Sequence, residues 1–435
     1  MTTQPDRCKQ QEDKRKWEER IGRLQALARA QPRTRFTALM GIVSDERGLR
    51  AHFEAQPGNK AAGIDGQRKA DYAERVDERL QALGHKLKRS GWRPQAARRV
   101  FIPKANGGRR PLGIPSFEDR IVQAQLASVL QAIWEPQFRE CSYGFRAGRN
   151  AHQALERLRQ VLTQGATQWV VEADIQGFFD NVRHEQLLSL VRQRVADPGV
   201  LRLIARLLKA GVQHDGQWRA SEAGTPQGGL VSPVLANIYL HYVLDEWFER
   251  HIATQCAGRA TLVRYADDFV VCFTHQADAQ RFIEALHERL AEYGLKVEPS
   301  KTALLAFGSR AAAQAKGQGT RAASFNFLGF THYVSRTRSG CFAVGRKTQR
   351  ERFARKLRLY ADRLKALRGV GTSAMLQFAR QHLKGHEAYY AIGGNLRAVR
   401  TYVYGAVRHL YKWINRRSQR RSLNWARFGQ IVAQW

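Results

Sequence analysis

The chain has 435 residues and an apolar content of 43%, which is that of an ordinary globular protein and excludes wholesale disorder. Its charge is unusual, because 72 Lys and Arg residues against 38 Asp and Glu residues give a net charge of +34. Nucleic acid is the favoured partner, since each phosphate contact releases condensed counterions. A membrane surface is the alternative. The basic residues are spread along the chain and form no single amphipathic cluster, which argues against it.

The N-terminus and the cysteines indicate the cellular compartment. The polar segment from Thr2 to Arg20 has no apolar signal region, and no stretch approaches the roughly 18 apolar residues of a membrane span. The five cysteines are far apart and form no CxxC pair or Cys/His cluster. Reduced thiols are therefore expected, with neither a disulfide framework nor a zinc site. The pattern predicts a soluble, intracellular protein.

The first third of the chain predicts helices around one β-hairpin. Apolar residues recur at helical spacing in the helical segments, and Asn106-Gly107-Gly108 is a hairpin turn signal. The predicted elements are a charged helix over 11–40, a loop over 58–66, an amphipathic helix over 68–90, strands over 98–103 and 109–114, and a helix over 118–134.

The middle of the chain contains two short apolar runs that each stop at acidic residues. The first, 169–174, leads to Asp180, and the second, 262–273, predicts a hairpin whose turn holds two aspartates. Helices are predicted at about 184–195 and 278–293, and beyond residue 346 at 348–368, 372–391 and 395–416, these last three rich in Arg and Lys. The mixture predicts an α+β fold with a largely antiparallel sheet.

The two aspartates of the predicted hairpin turn, Asp267 and Asp268, indicate a metal site. Adjacent carboxylates in an apolar neighbourhood repel each other and lose hydration, so a divalent cation would compensate them. Mg²⁺ suits such oxygen ligands, and Asp174, also at the end of an apolar strand, could supply a third carboxylate. Two ions held in this way could drive phosphoryl transfer. The alternative is an ordinary exposed turn, a frequent position for Asp.

Other polar and glycine-rich segments have simpler interpretations. Asp180 precedes Asn181 and a helical run, which predicts a helix N-cap, and Asp65 is predicted as a turn residue. The segment 224–229 (GTPQGG) could approach a phosphate closely or form a plain turn. Residues 340–348 nearly match the phosphate-binding loop motif. Arg346 stands where that motif has its lysine, so this interpretation is rejected.

Eight segments along the chain carry sequence motifs. They are 59–66, 102–120 (IPKANGGRRPLGIPSFEDR), 142–150 (SYGFRAGRN), 174–180 (DIQGFFD), 224–233 (GTPQGGLVSP), 265–268 (YADD), 294–302 (GLKVEPSKT) and 327–330 (FLGF). In these motifs and in their order, the chain resembles the reverse transcriptases encoded by bacterial group II introns, and the resemblance covers nearly the whole sequence.

The resemblance implies a right-hand polymerase. Residues 1–345 would form the fingers and palm, with 1–57 as an N-terminal helical extension, and residues 346–435 a helical thumb or maturase-specific domain. Because the chain ends at Trp435 without a cysteine-bearing endonuclease module, it resembles the compact, endonuclease-lacking branch. Integration would then need a nick or a free 3′ end from elsewhere.

The resemblance also implies roles for individual residues. Asp174, Asp267 and Asp268 match the catalytic, metal-binding carboxylates, and Ile175 would belong to both the metal and the nucleotide site. Other matches are Lys104, Arg110 and Gln227 for holding the nucleotide, Phe179 for excluding a ribose 2′-hydroxyl, Lys301 for protonating the leaving group, and Phe327, Leu328, Gly329 and Phe330 for the primer grip. The alternatives are a solvated basic hairpin for Lys104 and Arg110, a core position for Phe179, and a surface lysine for Lys301.

The implied activity is RNA-directed DNA synthesis with two Mg²⁺ ions, for which Mn²⁺ could substitute. The implied partners are an RNA template (a structured intron RNA), a DNA primer or target and dNTPs, in the bacterial cytoplasm near the nucleoid, with assistance to intron splicing and retrohoming as a second role. Two alternatives stay open. One is a domesticated relative in phage defence or DNA repair, and the other is an RNA-binding splicing factor without polymerase activity, against which the intact aspartates argue.

Overall fold

The computed structural model describes residues 4–103, 108–164, 166–225, 228–416 and 423–433. Its helices are α1 (Gln4–Ala30), α2 (Met40–Val43), α3 (Glu46–Ala55), α4 (Lys69–Ala73), α5 (Val76–Lys88), α6 (Phe117–Trp134), α7 (Ala151–Thr163), α8 (Phe178–Asn181), α9 (His184–Val191), α10 (Pro198–Lys209), α11 (Ser232–Leu240), α12 (Gln276–Glu292), α13 (Ser309–Gly317), α14 (Arg350–Ala366), α15 (Thr372–Tyr390), α16 (Leu396–Asn415) and α17 (Trp425–Ala433). Helix α11 continues with π-helical geometry over His241–Asp245 and Phe248–Ile252.

The strands form three sheets, in which most of the described pairings are antiparallel. They are β1 (Ala97–Pro103), β2 (Arg109–Ile114), β3 (Trp169–Asp174), β4 (Val212–His214), β5 (Gln217–Arg219), β6 (Ala260–Tyr265), β7 (Asp268–Phe273), β8 (Ala303–Ala306), β9 (Ser324–Phe327), β10 (Phe330–Arg336) and β11 (Phe342–Thr348). The strand orders are β2-β1-β4-β5, β11-β10-β9 and β6-β7-β3-β8. In the β1–β2 hairpin Arg98 lies opposite Ile114 and Pro103 opposite Arg109, whereas β4 runs parallel to β1. The structure is thus the predicted mixture of helices and largely antiparallel sheets.

The chain forms two compact units, and it passes between them several times. The first contains Met1–Asn150, Ala173–Phe269 and Gln280–Thr302, and the second contains Ala151–Glu172, Val270–Ala279 and Ala303–Trp435. The predicted functional boundary at residue 345 stays a prediction.

The core of the first unit is built around α6. Its side chains are apolar on most faces, which is typical of a helix buried on all sides, and Ile121, Val122 and Leu126 are fully buried. The helix begins directly after β2, where the Ser116 hydroxyl accepts a hydrogen bond from the Asp119 amide at 3.2 Å. The β1–β2 hairpin is therefore anchored to the core at its C-terminal end.

In the second unit, α14, α15 and α16 coincide within a few residues with the three predicted basic helices. Each buries one apolar face and exposes most of its Arg and Lys residues, as the helical spacing of the apolar residues requires. Their common core contains Tyr360, Leu364, Met375, Ala379, Leu383, Tyr402, Ala406, Leu410, Ile414 and Phe428.

Three local predictions were wrong. The predicted helix over 11–40 ends at Ala30, two residues before the helix-breaking Pro32. The predicted helix over 68–90 is two helices, because α4 ends at Ala73 and α5 begins anew at Val76, with acidic residues in its first turn. Asp180 is not an N-cap, since it lies within α8, which is capped by Gly177.

Helix α10 and the β4–β5 hairpin were not predicted, although the residues at the start of α10 form a recognisable helix N-terminus in the sequence. The Asp197 side chain accepts hydrogen bonds from the amides of Gly199 and Val200, and Pro198 occupies the first helical position. None of the helices within the described ranges combines the length and apolar character that crossing a membrane would require.

Candidate active site

The two predicted aspartates lie at the end of the β6–β7 hairpin. Strand β6 ends at Tyr265 and β7 begins at Asp268, so only Ala266 and Asp267 separate them; we call residues 265–268 the aspartate turn. Ala266 has a left-handed backbone with φ 58°, as a tight hairpin turn requires. The flanking residues Val263 and Phe269 are buried, whereas Asp267 and Asp268 are half-buried. The predicted hairpin is confirmed, and its rigid strands hold the two carboxylates at the tip.

Asp174 is the last residue of β3 and is half-buried. Its backbone is fixed by the segment before Pro299. The amide of Glu298 donates to the Asp174 carbonyl at 2.8 Å, and the amide of Gln176 donates to the Lys296 carbonyl at 2.9 Å. Between them Ile175 forms an antiparallel bridge with Val297. Two distant pieces of chain are thus joined at the site.

Lys301 lies at the end of that joined segment. Its ammonium donates a hydrogen bond to the Asp174 carboxylate and forms an ion pair with it. The short 3₁₀ turn Pro299–Lys301 begins at Glu298, whose side chain accepts from the Ser300 hydroxyl at 2.8 Å. The bond to Asp174 raises the pKa of the Lys301 ammonium above its usual range. Lys301 is therefore paired with a predicted metal ligand, although its side chain is 65% exposed.

The carboxylates influence one another electrostatically. Burial, and then the negative charge of Asp174, raise the pKa of Asp267, while the charges of Arg110 and Lys301 oppose that rise. Asp268 in turn contributes to the raised pKa of Lys301. The three predicted aspartates therefore share one electrostatic environment in which a cation is favourable.

These oxygen donors fit a hard divalent cation in their chemistry. The Lys301 ammonium already acts as a cation on Asp174, which shows that the site accommodates positive charge. Within the described ranges, however, no group of three or more His, Cys, Asp or Glu side chains is close enough together to hold a metal ion. The aspartates therefore influence one another electrostatically without forming a set of metal ligands among the described residues.

Phe179 lies on α8, five residues after Asp174. It is half-buried, and its ring packs edge to face on the buried Phe178 with the centroids 5.2 Å apart. The glycine-rich segment lies against the same stretch, because the amide of Gly224 donates to the Val182 carbonyl at 2.8 Å and His184 Nε2 donates to the Gly224 carbonyl at 2.7 Å. Phe179 therefore lies at the boundary between the core and the surface.

Of the residues predicted to hold the nucleotide, Lys104 and Gln227 lie outside the described residues. Arg110 is exposed on β2, opposite Ile102. Gly228, with φ +109°, approaches this strand so closely that a Cβ atom would lie 2.4 Å from the Gly113 carbonyl oxygen. The glycine-rich segment and the strand of Arg110 are therefore neighbours.

The predicted primer grip is the β9–β10 hairpin of the second unit. Leu328 and Gly329 form its turn, with φ 49° and 84°. The Tyr389 hydroxyl donates to the Leu328 carbonyl at 2.8 Å, and the Phe330 ring stacks on the Tyr389 ring with centroids 5.8 Å apart. Helix α15 therefore holds this turn in place.

Sequence reasoning missed a buried ion pair between Arg264 and Asp245. Both side chains are completely buried, and they lie in the same unit as the aspartate turn. A signal was available, since Arg264 is the one charged residue between Leu262 and Ala266, and a buried charge needs a partner.

An Asp-Asp hairpin turn, a strand-end aspartate and a lysine paired with it, within a chain of net charge +34, suit metal-dependent phosphoryl transfer on a nucleic acid. The family model described as "Reverse transcriptase (RNA-dependent DNA polymerase)" matches residues 102–332, more than half of the chain. The chain belongs to this reverse transcriptase family. Enzymes of the family bind a nucleic-acid template and primer, use divalent metal ions and have the right-hand polymerase fold.

Individual relatives agree with this assignment. Protein YkfC of Escherichia coli K12 is 35% identical over 280 residues, which covers 57% of this chain and 74% of YkfC. Group II intron-encoded protein LtrA of Lactococcus lactis is 41% identical over 166 residues, covering 38% of this chain and 27% of LtrA. An uncharacterized 91 kDa protein in the cob intron of Schizosaccharomyces pombe is 43% identical over 176 residues, covering 40% and 21%. The predicted resemblance to group II intron reverse transcriptases is confirmed, although this chain spans only about a quarter of LtrA.

Proposed function

We propose that this chain copies an RNA template into DNA at the site formed by Asp174, Asp267 and Asp268, by transfer of nucleotides from dNTPs to a primer 3′-hydroxyl. The observation that carries the proposal is the shared electrostatic environment of these aspartates, in which the carboxylate of Asp174 is paired with a lysine. A strand end and a two-residue turn hold the carboxylates, so little reorganisation is needed when substrate binds.

The aspartates, together with Ile175 next to Asp174, would hold two Mg²⁺ ions, or Mn²⁺ in their place. When bound, the ions supply activation of the primer hydroxyl and stabilisation of the leaving oxygen. Asp267 would carry its negative charge more readily with a cation present, since burial and then the charge of Asp174 disfavour that charge in its absence.

The remaining residues would bind and orient the nucleotide. Lys104, Arg110 and Gln227 would hold the triphosphate and base, which suits the charge of the first two. Lys301, a charged ammonium, would exchange its bond with Asp174 for the leaving pyrophosphate and donate a proton to it. Phe179 would stand where a ribose 2′-hydroxyl would otherwise fit.

We assign the fingers and palm to residues 1–345, with 1–57 as an extension, and the thumb to 346–435. Phe327, Leu328, Gly329 and Phe330 would hold the primer strand, and the basic surfaces of α14, α15 and α16 would follow the nucleic-acid backbone. The similarity to LtrA and to other intron-borne proteins supports an intron RNA as the natural template, with assistance to splicing as a second role. The place of action would be the cytoplasm, close to the nucleoid DNA.

Primer extension tests the proposal. The purified chain is expected to extend a DNA primer on an RNA template with Mg²⁺ and dNTPs, and Asp267→Asn is expected to abolish extension while leaving template–primer affinity within about twofold, because nucleic-acid binding rests on many phosphate contacts. Asp13→Asn, a change on the N-terminal helix α1, is the matched control and should extend normally. Undiminished synthesis by Asp267→Asn would contradict the assignment of this site.

A further inference from the structure

The guanidinium of Arg264 is completely buried behind the aspartate turn, and all of its hydrogen-bonding capacity is used. An arginine side chain has five N–H donors. Nε donates to Asp245 Oδ1 at 2.7 Å and Nη2 to Asp245 Oδ2 at 2.5 Å. The other bonds go from Nη1 to Asn237 Oδ1 at 3.1 Å and to the Ala266 carbonyl at 2.9 Å, and from Nη2 to Ser142 Oγ at 2.8 Å.

The bond to Ala266 reaches the turn itself. The Ala266 carbonyl belongs to the peptide that links Ala266 to Asp267, and Ala266 has the left-handed φ of 58°, which is uncommon for any residue other than glycine. Such a backbone is kept only when its surroundings fix it. The guanidinium thus holds the peptide immediately before Asp267.

Neighbouring backbone reinforces this arrangement. The Arg264 amide donates to the Cys141 carbonyl at 2.8 Å, and the Tyr143 amide donates to the Arg264 carbonyl at 2.9 Å. Gly144 follows, and a Cβ atom there would lie 2.4 Å from the Ala266 amide nitrogen. Asn237 also donates to the Gly144 carbonyl at 2.8 Å, so α11 is tied to both sides of the arrangement.

Stability alone is a weak reason for such a pair. Replacing a buried ion pair with well-packed apolar side chains is often neutral or stabilising, because both charges must lose their hydration. What apolar side chains cannot supply is a planar fork that binds a carboxylate on one edge and a backbone carbonyl on the other. The pair is therefore suited to fixing a geometry.

We propose that Arg264, oriented by Asp245, is a positioning residue for polymerisation: it fixes the Ala266 peptide and so aims the carboxylates of Asp267 and Asp268. The proposal rests on the proposed function, because positioning matters only if those carboxylates carry the chemistry. Arg264 contacts neither nucleotide nor primer in this role.

The decisive variant is Arg264→Lys, which keeps the charge beside Asp245 but cannot make the five bonds. We expect kcat for single-nucleotide addition to fall about tenfold or more, because small displacements of reacting groups slow the chemical step by such factors. The dNTP KM and the template–primer Kd should stay within about threefold of the wild type, since neither substrate touches Arg264. Mn²⁺ binding, followed by the loss of its free-ion EPR signal, should weaken severalfold, which gives a readout independent of activity.

The matched control is Arg194→Lys. Arg194 is also buried, and it binds backbone carbonyls at the end of α1 and in the segment that follows it, among them that of Thr34 at 2.9 Å. It should lower the unfolding temperature comparably, with kcat per active site and Mn²⁺ binding unchanged. If Arg264→Lys behaves like this control, Arg264 is purely structural and the proposal is overturned.

A second variant, Asp245→Asn, keeps the shape of the partner and removes its charge. It should also lower kcat, with KM again little changed. If Arg264→Lys does not fold, Asp245→Asn tests the proposal by the same measurements. An inactive wild type, or an active Asp267→Asn variant, would instead contradict the proposed function. The two failures are therefore distinguishable.

Discussion

The amide of Thr225 donates a hydrogen bond to the carbonyl of Phe179 at 2.7 Å, which joins the glycine-rich segment to the helix that carries the proposed ribose-excluding side chain. Gly224 makes this contact possible. Its φ is +86°, and a Cβ atom at this position would lie 2.7 Å from the same carbonyl oxygen. Any other residue here must displace Phe179 or the loop.

We therefore expect Gly224→Ala to lower the free energy of unfolding by about 2–4 kcal/mol, from left-handed strain together with overpacking. Gly216→Ala is the control, because Gly216 also has a positive φ of +79° but no atom lies within 4 Å of its Cβ position; its cost should be about 1 kcal/mol. Urea unfolding measures both, and equal costs would show that the contact with Phe179 adds nothing.

Phe179→Ala should admit ribonucleotides. Removing the ring opens the space beside the nucleotide, so the preference for dNTP over rNTP, measured as the ratio of kcat/KM values, should fall by about tenfold or more. Phe179→Tyr retains the bulk and should retain the preference. An unchanged ratio in Phe179→Ala would return this half-buried ring to the role of a core residue.

Lys301→Met should slow nucleotide addition by about 10²-fold, the usual scale for loss of a general acid. Template–primer affinity should not change, since the lysine is paired with Asp174. Lys296→Met is the comparison, because Lys296 is exposed on the same segment and contributes its backbone carbonyl to Gln176. Rapid-quench measurement of single additions would separate the two variants. Similar rates for both would leave Lys301 as an ordinary surface lysine.

Acid should destabilise the second unit through buried histidines. Burial, with the nearby charge of Lys356, lowers the pKa of His386 to about 4, and its ring nitrogens have no hydrogen-bond partner among the described residues. The ring stacks on Tyr402 at 3.7 Å between centroids. His386 binds a proton near pH 6.5 in the unfolded state but not in the folded state. Its contribution to the stability of the folded state is therefore fully present above that pH and is lost as the pH drops toward 4.

The expected loss from His386 is at most about 3 kcal/mol at the acidic end of this range, since one pKa unit corresponds to about 1.4 kcal/mol and solvent screening reduces the effect. His386→Phe keeps the stacking and removes the titration, so its stability should depend less on pH between 7 and 4. Comparing the unfolding midpoints of the two proteins at both pH values isolates this residue from the carboxylates that also titrate in acid. Identical pH dependence would contradict the prediction.

Local patterns in the sequence were sufficient for the parts of the molecule that depend on neighbouring residues. The β6–β7 hairpin was predicted because apolar residues flank a short polar turn, and α14 to α16 because apolar residues recur at helical spacing. Breaks were harder. The ends of α1 and α4 depend on packing and capping, and the role of Asp180 depended on where α8 begins.

The sequence by itself determined which chemical groups are present: three aspartates in apolar surroundings, a strongly basic chain and a series of motifs in the order found in the family. Only the tertiary structure decided which groups meet. Lys301 reaches Asp174 across 127 positions of chain, and Arg264 reaches Ser142 across 122. Such pairings follow from the packing of whole strands and helices, which no local spacing encodes. For this reason the aspartates could be named from the sequence, while the partners of the buried arginine behind them could not.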